Sequence, residues 1–132
     1  MTLANHPNFL RTVLLIDAAT CVATGLLMTA GAGPVARLTQ IPAGLLMTAG
    51  LSLFPIAAFI AFVATRVSSW PAGVWLAILG NAGWVLGSLW LLVSGTVAPN
   101  GLGIAFVVIQ AIAVAALADL EWLGIRRAAV AV

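Results

Sequence analysis

Residues 41–65 read IPAGLLMTAGLSLFPIAAFIAFVAT. The stretch holds no aspartate, glutamate, lysine, arginine or histidine. A helix that crosses a bilayer needs about 20 mostly apolar residues at about 1.5 Å each, and this run is longer. Its glycines and prolines would be costly in a soluble helix but are tolerated in membrane helices. Pro42 fits the first turn, where no backbone donor is needed. Pro55 lies mid-span, removes a backbone hydrogen bond and predicts a kink.

Working outward, the same character recurs three times. Residues 8–31, 70–95 and 101–123 are each long and apolar enough to span. Of the 132 residues 64% are hydrophobic and 6% charged, against about a quarter charged in soluble domains. Residues 1–132 are therefore expected to form a single all-α domain, a four-helix antiparallel transmembrane bundle joined by short connectors. A membrane barrel would need alternating strands of about ten residues, which the unbroken apolar runs exclude. The first segment is too long for a signal-peptide core and is interrupted by Asp17, so it is expected to be retained.

The basic balance rests on five arginines. An even number of spans puts Arg11, Arg66, Arg126 and Arg127 on one side and only Arg37 on the other. The excess of positive charge predicts cytoplasmic termini and gives no reason to expect nucleic-acid binding. Trp70, Trp75 and Trp122 near one edge and Trp90 near the other match interfacial belts. Trp84 falls near mid-depth, where its indole N–H needs an acceptor.

Counted inward from the span ends, Asp17, Ser52, Asn81 and Gln110 all reach a depth of roughly 14–16 Å. In a core of about 30 Å that is the midplane. Asp17, Ser52, Asn81, Gln110 and Trp84 thus predict a mid-membrane polar layer. Two readings stand side by side. The groups hydrogen-bond one another and pin the bundle, or Asp17 binds a proton or cation, since ionisable residues inside the bilayer mark function. Arg11, Asp119, Glu121 and Arg126 are expected to form ordinary ion pairs at the cytoplasmic interface. Gly73, Ala77, Gly80, Gly83 and Gly87 leave a flank of small residues on the third span, suited to close helix packing. A seven-residue repeat, GLLMTAG at 25–31 and again at 44–50, reads as coincidence in a small apolar alphabet.

One histidine and one cysteine supply no zinc set, and His6 lies outside the predicted spans. No lysine is present for a Schiff base, and no nucleophile–base pair is visible. No metal, cofactor or catalysis is expected. The stretches Leu15-Ile16-Asp17-Ala18, Gly80-Asn81-Ala82-Gly83-Trp84, and Ala105 to Ala111 followed by Leu120-Glu121-Trp122 resemble the pattern of uncharacterised small four-helix inner-membrane proteins of bacteria. That resemblance implies a bacterial inner membrane and no activity. The expected function is a small accessory or interaction protein in contact with membrane lipid, a homo-oligomer or a subunit of a larger complex. The alternatives are a proton-coupled or substrate transporter centred on Asp17, and a binder of lipid or another apolar ligand.

Overall fold

The computed structural model describes residues 8–131, with side chains through Arg127; His6 lies outside them. Four long helices and one short one account for nearly all of this. Helix α1 is Phe9–Thr29, α2 Ala32–Thr39, α3 Ala43–Ala64, α4 Pro71–Val93 and α5 Gly101–Ala131. All except α2 are long and apolar enough to cross a membrane.

The span boundaries agree with the apolar runs within a few residues, with two differences. The connector between the first two spans is itself helical, and Gln40 ends it in a left-handed conformation (φ 59°). Helix α5 does not stop at 123 but continues to Ala131. Arg126 and Arg127 do not break it, because arginine is a good helix former. Pro55 sits inside α3 without ending it.

The four long helices form a ring in the order α3, α1, α5, α4, so α1 and α4 face each other diagonally without close backbone contact. One apolar cluster fills the end where α1 begins, around Leu14, Ile60, Val63 and Val74. A second fills the end capped by α2, around Met28, Ile41, Leu46 and Leu53. Cys21 packs against both. At the α2 end, Asn100 ties the connectors together. Its Nδ2 donates to the Leu38 carbonyl at 2.8 Å, and its Oδ1 accepts from the Gly103 backbone at 2.8 Å, capping the first turn of α5.

The most extensive helix contact is the α1–α3 seam. A Cβ on Gly25 would stand 3.1 Å from the Gly50 carbonyl oxygen, and one on Gly50 would stand 2.8 Å from Met28 Cβ and 2.9 Å from Thr29 Cγ2. These glycines open one copy of the heptapeptide repeat and close the other. Because α1 and α3 run antiparallel, the two copies meet at their glycines. Small residues allow such an approach, and dispersion between the close backbones then holds the pair. Gly50→Ala should therefore cost about 1–3 kcal/mol by overpacking. Gly44→Ala, with nothing within 4 Å of the added carbon, should cost nothing measurable. Equilibrium unfolding in mixed micelles checks both.

Candidate functional site

Polar side chains inside the bundle gather in two groups rather than one layer. The first joins three helices. Asn81 on α4 donates from Nδ2 to Asp17 Oδ2 on α1 at 2.7 Å and to Glu121 Oε1 on α5 at 3.0 Å. All three side chains are buried, with relative exposures of 1% for Asp17, 6% for Asn81 and 0% for Glu121. Cys21, one turn beyond Asp17 on the same face, places Sγ 3.8 Å from Asp17 Oδ1. Glu121 Oε2 is buried and has no hydrogen-bond partner.

The second group joins only α4 and α5. Trp84 Nε1 donates to Gln110 Oε1 at 2.7 Å. Gln110 Nε2 donates to Ser88 Oγ at 2.9 Å and to the Val107 carbonyl at 2.8 Å. Ser88 Oγ donates to the Trp84 carbonyl at 2.8 Å. The mid-depth indole thus has its acceptor, and the group is closed on itself.

Two expectations are corrected here. Ser52 does not join a common layer: it is exposed, and its hydroxyl donates to the Ala49 carbonyl one turn back. A serine can satisfy itself locally on a helix, so depth alone does not turn it inward. Gln110 likewise serves Trp84 and Ser88, not Asp17 and Asn81.

The expected interfacial ion pairs of Arg11, Asp119, Glu121 and Arg126 do not form among the described residues either. Glu121 turns inward because α5 runs on past it: ten residues of helix to Ala131 put Glu121 about 15 Å from that end. Arg11 instead donates from Nε to the Ala64 carbonyl at 3.2 Å, satisfying a free carbonyl at the end of α3. Arg126 lies over the Trp122 ring, 4.6 Å from its centroid, and Arg66 over Phe62 at 5.3 Å. Asp119 is exposed and makes no ion pair among the described residues.

The small-residue flank of α4 splits. Gly73 lies against the Trp70 ring and Ala77 is in the core. Gly80, Gly83 and Gly87 are exposed, with nothing within 4 Å of an added carbon.

Beside the first polar group lies a cavity of about 310 Å³ between α3 and α4. Ile56, Phe59, Leu76 and Gly80 line it, and Asn81 and Trp84 stand among its inner walls. A smaller cavity of about 70 Å³ reaches Asp17 and Gln110 and shares Cys21, Leu53, Trp84 and Val114 with the larger one. No group of metal-ligating side chains is found among the described residues.

Comparison of the chain with protein-family models, with curated proteins and with solved structures finds no match.

Chemically, the site is a pair of carboxyl groups that share one amide donor in a hydrocarbon surround. Helices α3 and α4 carry no ionisable side chain. Asn81→Ala would leave both carboxyl groups without their donor and should destabilise the chain by about 1–3 kcal/mol. Gln110→Leu should cost about 1 kcal/mol and alter Trp84 fluorescence without changing the Asp17 group. Unfolding equilibria and emission spectra check these outcomes.

Proposed function

We propose that this chain is a small, non-catalytic membrane carrier that binds and releases protons at Asp17, Asn81 and Glu121. One observation carries the reading: two buried carboxyl groups accept from a single amide, and neither is paired with a basic side chain among the described residues.

The physical argument follows from charge in a low dielectric. Removing one carboxylate from water costs several kcal/mol even after relaxation. Two carboxylates joined through one side chain repel as well. The pair can therefore hold a proton, give it up to an acceptor, or exchange it for a cation. The only other titratable neighbour among the described residues is the Cys21 thiol. The carrier is placed in a bacterial inner membrane with both termini in the cytoplasm, on the sequence resemblance and on the arginine excess at the end where α1 begins and α5 finishes.

A second reading, as a homo-oligomer or as an accessory subunit of a larger complex, draws on the open face of Gly80, Gly83 and Gly87. Another helix could approach closely there.

Infrared spectroscopy of the chain in lipid tests the carrier. A carbonyl band from protonated carboxyl should shift in D2O and fade as the buffer is made alkaline. Asp17→Asn and Glu121→Gln should each remove part of it, and Asp119→Asn should leave the exchange unchanged. A band indifferent to D2O and to buffer pH would overturn the reading.

A further inference from the structure

The cavity between α3 and α4 has the size of a small-molecule site, about 300 Å³ and upward. Its rim residues Ile56 and Leu76 are exposed, so it opens sideways toward acyl chains. Its walls are mostly apolar, with Phe59 and Trp84 among them. Such a space admits an apolar body directly from the bilayer.

The inner wall asks for something more. Asn81 lines the cavity and is 6% exposed. Both of its hydrogen bonds leave from Nδ2, toward the two carboxyl groups. Its carbonyl Oδ1 accepts no hydrogen bond among the described residues. Glu121, bonded to the same amide, does not itself line the cavity, and its Oε2 is buried without a hydrogen-bond partner among the described residues. Asn81 thus stands in the wall of a greasy crevice with an unused acceptor, and the two carboxyl groups behind it share its amide and lack a basic partner among the described residues. Arg11 is engaged with the Ala64 carbonyl, and Arg126 lies on Trp122.

We propose that this cavity binds a lipophilic protonated amine, its apolar body between α3 and α4 and its ammonium head at Asn81. The head donates to Asn81 Oδ1 and supplies the positive charge facing Asp17 and Glu121. The aromatic face of Trp84 adds a cation–π contact. The proposal rests on the carrier reading and names the substrate class of that same centre.

The test uses the full chain in lipid nanodiscs, with 4-phenylbutylamine as the probe. Its trimethylammonium analogue keeps the charge but has no N–H, and butylbenzene has neither. Binding is read by calorimetry against protein-free nanodiscs. The amine should bind saturably. The trimethylammonium analogue and the Asp17→Asn, Glu121→Gln double variant should each lose roughly tenfold or more in affinity, the worth of a charge-assisted hydrogen bond. Leu76→Trp, a change at the exposed rim, should block the amine while leaving the infrared carboxyl exchange intact, which shows that the bundle still folds. Mere partitioning of the amine, or butylbenzene binding as tightly, overturns the proposal. If the carboxyl exchange persists without saturable amine binding, the substrate assignment fails and the carrier reading stands. Saturable, acid-dependent amine binding without carboxyl exchange upholds the site and overturns the carrier.

Discussion

Hydrocarbon offers no hydrogen bonds, so each polar group inside the bundle must find its partner on another helix or on its own. The Asn81 amide meets that constraint for three helices at once. It has two N–H donors on one nitrogen, and one goes to each carboxyl group. The result ties α1, α4 and α5 across the diagonal of the ring, where no backbone contact joins α1 to α4. The Trp84, Gln110 and Ser88 ring holds α4 to α5 by the same logic.

Helix α3 is held differently. It sends no polar side chain into either group, and Ser52 satisfies itself. Its attachment is the close glycine seam with α1, together with apolar packing and the Arg11 contact at its end. Against α4 it has little to hold it. Gly80 adds no side chain on the α4 side, and Pro55 lies on the α3 side. The cavity is where polar ties stop and small residues begin. Tight packing on one flank of α3 and a gap on the other arise from the same economy of side-chain volume.

Part of the site was legible and part was not. Asp17 and Asn81 stand out because strong polar residues within apolar runs need partners, and counting rise from the span ends puts them at like depth. Trp84 declared its need for an acceptor in the same way. Glu121 was misplaced because its depth was measured from an end at 123, whereas the helix continues through Arg126 and Arg127. The available signal was the apolar tail Ala128 to Val132 beyond those arginines. The repeat at 25–31 and 44–50 carried a meaning that no pattern along the chain displays. Its glycines matter only once α1 and α3 lie antiparallel at contact distance.

The amino-acid order alone determined the class of solvent, the number of long apolar helices and their approximate ends. Those properties follow from local composition and from the fixed rise of a helix. Tertiary structure decided which helices are neighbours and which polar residues meet. It also decided that a glutamate assigned to the interface lies in the interior. Those properties depend on the rotation of each helix about its axis, which is set by the joint packing of all of them, and a nearly uniform apolar surface does not specify it in advance.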